Sequence, residues 1–292
     1  MKKIFTLLAL TITFSMNAQV STNSTSPTGT YASAMGNGTT ASGNESTAMG
    51  YDTTASGEAS TAMGYSTTSS AQASTAMGYG STASGIRSFA GGLYTVASGG
   101  GSFAFHSGTT ASGTNSTALG RVTVASDYAS TVIGQYNSSG SSATSANSFS
   151  TSAPAFVIGN GTSGSLSDAF KVMFNGDTTV SNDLTVSGDV VISSDARLKS
   201  NIVSLGSTLP KLLQIDGKSY EMKGKQKIGV LAQEIKEVFP ELVSEDDNEM
   251  LAVNYQGLVP VLINALKEQD EIIKSQEQRL SQVENLLAKL ND

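Results

Sequence analysis

Residues 193–199 read SSDARLK, which packs Ser193, Ser194, Asp195, Arg197 and Lys199 into one short stretch at the end of a charge-poor region. Two readings of this cluster are purely structural: a turn, or the N-cap of a helix. The third is chemical. A serine hydroxyl is a weak nucleophile, but a neighbour that takes its proton can make it attack a carbonyl, and here the carbonyl at hand belongs to the chain itself. The only histidine, His106, stands far upstream in a stretch of different character. An amine is then the base available to a serine in this cluster.

Which elements would position these groups follows from the rest of the chain. It has 292 residues and a formal charge of −7, with 30 Gly, 5 Pro, no Cys and no Trp. Large apolar residues are scarce in the first two thirds, so burial of bulky side chains cannot be what holds that part together. Most charged residues lie from Ser193 onward, which marks a change of architecture. Neither part is basic enough for nucleic acid. Without Cys there is no disulfide framework, thiolate chemistry or Cys-based metal site, and no metal or other cofactor is expected. Residues 1–18 combine Lys2 and Lys3, an apolar run from Ile4 to Phe14, and small residues up to Ala18. That order predicts a secretory signal cut after Ala18, in a run too short to span a bilayer. The mature chain is then expected to be secreted or held at the cell surface, with no membrane span.

From Ala32 onward a step of 14 residues aligns the sequence without a gap. STAMGYDTTASGEA starts at Ser46, STAMGYSTTSSAQA at Ser60 and STAMGYGSTASGIR at Ser74, and weaker copies start at Ser88, Ser102, Ser116 and Ser130. Alanine recurs at the third position (Ala48, Ala62, Ala76) and at the tenth (Ala41, Ala55, Ala83), with Ser69 as an exception. A fixed short period predicts stacked coils, and the repeated Ala and Ser predict a very narrow interior. Thr, Val and Tyr favour strands and the Gly columns supply turns. Tyr51, Tyr65 and Tyr79 recur beside a Gly column, either as ligand-stacking residues or as packing between coils. His106 replaces Gly in that column and reads as a defect of the repeat. The S-x-A-x-G and A-S-G columns over residues 30–140 resemble the head repeats of trimeric autotransporter adhesins. That resemblance implies a left-handed parallel β-roll in a homotrimer, surface-exposed and adhesive. Its ligand is left open, with a surface glycan or a host-matrix component as the classes in view.

Residues 138–152 are rich in Ser and Asn and read as a linker. AFVIG, AFKVMF, TTVSN, LTVSG and VVIS then predict a β-rich neck up to residue 192. GNGTSG, residues 159–164, matches a dinucleotide fingerprint in form, but no helix follows it, so it reads as a hairpin. Beyond Lys199 the pattern is mixed α/β. KIGVLAQEIKEVFPELV begins as a strand and continues as an amphipathic helix stopped at Pro240, and MLAVNY is a short strand before a long terminal helix. From residue 259 that helix carries apolar positions at alternating steps of three and four: Val259, Leu262, Leu266, Ile273, Leu280, Val283, Leu287 and Leu290, with Gln269 and Gln276 in the same seam. Sustained over this length, the pattern predicts a coiled coil over 259–292.

SSDARLKSNI, GVLAQEIKEVFPELV, VNYQGLVPVLINALKE and the terminal coiled coil, in that order, resemble the C-terminal intramolecular chaperone domain of endosialidase tailspikes, a self-cleaving peptidase family. The resemblance spans 193–292, with the chaperone part at 193–258. It implies Ser194 as nucleophile, Lys199 as base, and cleavage of the Ser193–Ser194 bond, with Asp195 and Arg197 supporting the turn. A free lysine has a pKa of about 10.4, so about one amine in two thousand is neutral at pH 7. Lys199 must therefore be desolvated, or held near a cation such as Arg197, in order to act. Five residues of ideal helix turn the chain by about 140°, so the pair needs a strand-to-turn geometry around Asp195 rather than a helical face. The expectation is an exported homotrimeric fibre: a β-roll, a β-rich neck, then an α/β chaperone domain ending in a coiled coil that releases itself in a single turnover. The alternative is a fibre that keeps the same domain as a trimerisation cap.

Overall fold

The computed structural model describes residues 22–246 and 249–291; the predicted signal segment, residues 1–18, lies outside them. The chain divides into two compact units, Met1–Asp189 and Val190–Asp292.

The first unit is a β-solenoid with 14 residues per coil. Each coil contributes a five-residue strand, such as Thr47–Tyr51, and a two-residue strand, such as Thr54–Ala55. Both stack in parallel on the same elements of the next coil, the long strands in one sheet and the short ones in another. The register is strict: Thr47 faces Thr61, Ala48 faces Ala62, Met49 faces Met63, Gly50 faces Gly64 and Tyr51 faces Tyr65. Alternation along each strand sends Ser46 and Ala48 inward from one side, and Thr53 and Ala55 inward from the other. All four are buried, as are their equivalents in the coils that follow. Methyls and hydroxyls fill the interior completely, which is why nothing larger recurs in these columns.

The coil corners use left-handed backbone. Asp52, Ser66 and Val122 have φ of 51°, 51° and 52°, and Glu45, Ala59 and Arg87 repeat the same device at the other corner. Between them, at the end of the long strand, runs the glycine column, with φ of 125° at Gly50 and 124° at Gly64. His106 occupies this column with φ of 95°, a region that costs a residue with a Cβ about 1–3 kcal/mol. Its ring is partly held by Phe105, 4.7 Å away at 71°. His106→Gly is therefore expected to stabilise the solenoid by about 1 kcal/mol, read as a rise in the thermal midpoint by circular dichroism.

Residues 138–152, read as a linker from their composition, are hydrogen-bonded to the last coils. Ser126 donates its backbone N–H to the Gly140 carbonyl at 3.0 Å, Tyr128 to Ser145 at 2.8 Å and Thr114 to Ala146 at 2.8 Å. The buried Asp127 carboxylate accepts from the N–H groups of Thr144 and Ser145, both at 2.6 Å. Asn137 takes the place of the inward Thr and bonds both the N–H and the carbonyl of Val124, at 2.8 and 2.9 Å. The segment thus satisfies backbone groups that another coil would otherwise pair.

The ladder then resumes. Pro154–Asn160 lies parallel to Thr131–Gln135, with Val132 facing Val157 in the continuation of an alanine column. Asp168–Met173 and Thr178–Val180 follow antiparallel, and the 159–164 stretch forms the hairpin between the first two of these strands. LTVSG and VVIS were predicted as strands. In the structure they pair with nothing and are exposed throughout. Alternation gives them the propensity, but no neighbouring strand of the same chain completes a ladder.

The second unit has a small core of Ile235, Phe239 and Val261, against which Leu212, Ile215, Val230, Leu242, Val243 and Val253 pack. Around it are the helix Leu209–Leu212, the hairpin Lys218–Met222 with Lys225–Gly229, the helix Ala232–Val238, the hairpin Val243–Glu245 with Leu251–Val253, and the terminal helix Leu258–Asn291. The terminal helix docks through Leu258, Val261 and Ala265. Its predicted seam points elsewhere: Leu262, Leu266, Ile273, Leu280, Val283, Leu287 and Leu290 are all exposed.

Candidate functional site

The SSDARLK stretch reaches its geometry by local means. Residues 190–195 have no regular structure, and a single 3-10 turn, Ala196–Leu198, follows. Asp195 caps it with extended backbone, its Oδ1 accepting from the Arg197 N–H at 2.8 Å. The Arg197 guanidinium returns to the same carboxylate, Nε at 3.0 Å from Oδ1 and a terminal nitrogen at 2.7 Å from Oδ2. This paired hydrogen bonding holds the Asp195 carboxyl below its ordinary range and raises Arg197. The guanidinium charge is thereby committed to Asp195. The Lys199 N–H donates to the Ala196 carbonyl at 3.1 Å, which closes the turn and sends the lysine side chain back. Its Nζ donates to Ser194 Oγ at 2.7 Å. The turn thus brings Ser194 and Lys199 together, with Asp195 and Arg197 bracing it. Ser193 is adjacent in the chain and makes no side-chain bond among those described. All five residues are exposed in a single chain.

Residues 194–244 match the family described as chaperone of endosialidase. The chain carries a chaperone of endosialidase domain. It follows YadA head domain repeats, matched in overlapping windows at 28–53, 41–67, 55–81, 69–95 and 111–137. No curated protein matches the chain. No helix of the described residues is long and apolar enough to cross a membrane.

The second unit also contains a tie that sequence reading missed. Glu268, on the terminal helix, accepts from Ser207 Oγ at 2.7 Å, from the backbone N–H groups of Thr208 and Leu209, and from the Thr208 hydroxyl. The buried Thr208 hydroxyl also reaches the Val261 carbonyl at 3.0 Å. One carboxylate therefore caps the helix Leu209–Leu212 and ties the strip that follows the Ser–Lys pair to the terminal helix. Glu268 closes the VNYQGLVPVLINALKE stretch, but nothing in that stretch names its partner, because Ser207 stands about sixty residues away in sequence.

These bonds, the one from Ser207 first, hold Glu268 below its ordinary 4.5. A carboxyl depressed by folding stabilises the domain above its unfolded value and loses that contribution as the pH falls through the lower folded value. Unfolding of this unit is therefore expected to become easier below about pH 4.5. Glu268→Gln should lower the thermal midpoint at pH 7 and flatten the acid limb of the profile. A variant whose profile overlays the wild type would contradict this assignment.

Proposed function

We propose that this protein is an exported homotrimeric fibre in which the chaperone of endosialidase domain holds three chains in register, then cuts itself off at the Ser193–Ser194 bond. The observation that carries the reading is the 2.7 Å contact between Lys199 Nζ and Ser194 Oγ, at the first residue of the matched domain. Both matched domains are typical of trimeric proteins. The exposed seam of the terminal helix supports the same assembly, because an apolar stripe of this length is stable in water only when other helices cover it. A stack of near-identical coils can pair with a neighbour in several registers, and a clamp at one end removes that ambiguity.

The chemistry balances with groups of this chain and water. Lys199, in its neutral form, takes the proton of Ser194 Oγ as that oxygen attacks the Ser193 carbonyl carbon. The Ser193–Ser194 C–N bond then breaks, and the proton on Lys199 passes to the departing Ser194 nitrogen. An ester between the Ser193 acyl group and Ser194 Oγ remains, and water hydrolyses it. Residues 194–292 leave with Ser194 as their new N-terminus. Since Arg197 is committed to Asp195, neutralisation of Lys199 has to come from exclusion of water. The pair is exposed in one chain, so the other two chains supply the cover, and cleavage waits for assembly. Losing the clamp after folding leaves the fibre kinetically trapped.

A second reading keeps the domain attached as a cap, and the exposure of the pair in one chain is the observation that favours it. Intact mass and light scattering of the secreted product separate the two. A trimer whose short fragment begins at Ser194 supports self-cleavage, and a trimer of uncut chains supports the cap.

A further inference from the structure

Gln276, Arg279, Leu280 and Val283 line a shallow hollow of about 260 Å³ on the terminal helix. Leu280 and Val283 are 60% and 51% exposed, and the face that docks through Leu258, Val261 and Ala265 ends upstream of them. Counted as heptads abcdefg from Val259 at a, the four residues are d, g, a and d. Four residues in that order form the hole that takes an a side chain of a facing parallel helix. In a second copy of this chain the a residue at that level is Leu280 itself, so the hollow fits an in-register neighbour.

Charge decides the direction. Asp270, Glu277 and Glu284 all stand at e, and the one charged residue at g is Arg279. Antiparallel helices would set e against e, acid against acid. Parallel helices set each g against the e five residues on in the neighbour, which brings Arg279 to Glu284. Neither has an oppositely charged residue three or four places away in its own helix, so the complement of each lies in another copy. The amides decide the register. With the copies level, Gln269 meets Gln269 and Gln276 meets Gln276 at d, and each layer hydrogen-bonds within itself. A slip of one heptad pairs one layer and sets the other amides against Leu262 and Val283, which leaves buried polar groups unpaired. We infer that the terminal helices of neighbouring copies run parallel and in register, with Leu280 of one seated in the Gln276–Val283 hollow of the next and Arg279 paired with its Glu284. This rests on the assembly part of the proposed function and not on cleavage.

The chain has no Cys, so single cysteines report the geometry. In the full-length Ser194→Ala chain, which keeps the helix attached, Val283→Cys at d is expected to link copies by a disulfide under mild oxidation. Ser275→Cys, at c and away from the seam, is expected to link none. Leu262→Cys repeats the test near the other end of the helix should Val283→Cys lose its helical circular dichroism. Arg279→Glu and Glu284→Arg should each weaken association about tenfold, followed by light scattering on dilution, and the double reversal should recover it. A trimer in which Val283→Cys and Leu262→Cys link no more than Ser275→Cys would overturn the inference and leave the trimer reading standing, as would a double reversal as weak as the singles. A chain that light scattering finds to be single would overturn both.

Discussion

Ser194→Ala is expected to leave the purified trimer at full length, with cleavage slowed by at least about 10³-fold. On the proposed mechanism the substitution removes the attacking oxygen and little else, because Ser194 is exposed and its side-chain bond is to Lys199. Lys199→Met should be equally silent. Lys199→Arg should match it, since a guanidinium keeps its charge and cannot accept the serine proton. The proposed reaction would also leave a chemical trace. An ester at Ser194 is open to a stronger nucleophile than water, so hydroxylamine should speed cleavage of the wild type and leave a hydroxamate on Ser193, visible by mass. Asp195→Ala tests the bracing separately. It removes the cap and the partner of Arg197, so it should slow cleavage while leaving the trimer intact. A fragment beginning at Ser194 from the Ser194→Ala chain would end the self-cleavage reading.

Gly64→Ala should be strongly damaging to the solenoid, costing about 3 kcal/mol. Two causes act together. The backbone at Gly64 has φ of 124°, where an L residue with a Cβ is strained. A Cβ built there would also overlap the carbonyl oxygen of Gly78, its partner in the next coil. The clash is backbone against side chain and cannot be relieved by a rotamer, because the strict ladder fixes both partners. Thermal unfolding followed by circular dichroism would measure the loss, and a midpoint equal to wild type would show that the coils can part locally. His106→Gly, in the same column, carries the opposite sign.

The solenoid was legible because one side-chain identity serves one structural position in every coil. Ala48 and Ala62 predict each other, and the strands pair at that offset. Where the offset changes, reading fails. The ladder resumes at Phe156 opposite Thr131 after a longer excursion, and its Ser/Asn-rich intervening segment gave no sign that its backbone would close the stack. At the Ser–Lys site the spacing excluded a helix and called for a turn around Asp195. It could not supply the 2.7 Å approach, which depends on the cap by Asp195 and the Arg197 fork. The coiled-coil seam was readable as a pattern. That the helix would dock through Leu258, Val261 and Ala265 and leave the seam outward was not, since apolar residues occupy both faces. LTVSG and VVIS illustrate the general limit: propensity is written in the segment, but the partner is not.

The strict stacking of the solenoid has a genetic consequence. Each coil meets the next through the same residues, so duplicating or deleting any number of whole 14-residue units preserves every interior column and moves the far end by about 4.8 Å per unit. A change of any other length within a coil would shift Ala, Gly and Ser out of their columns unless an excursion absorbs it, as the segment before Val157 does. Genes of this kind can therefore lengthen or shorten in quantised steps, and the reach of the solenoid becomes a heritable ruler read in units of one strand spacing.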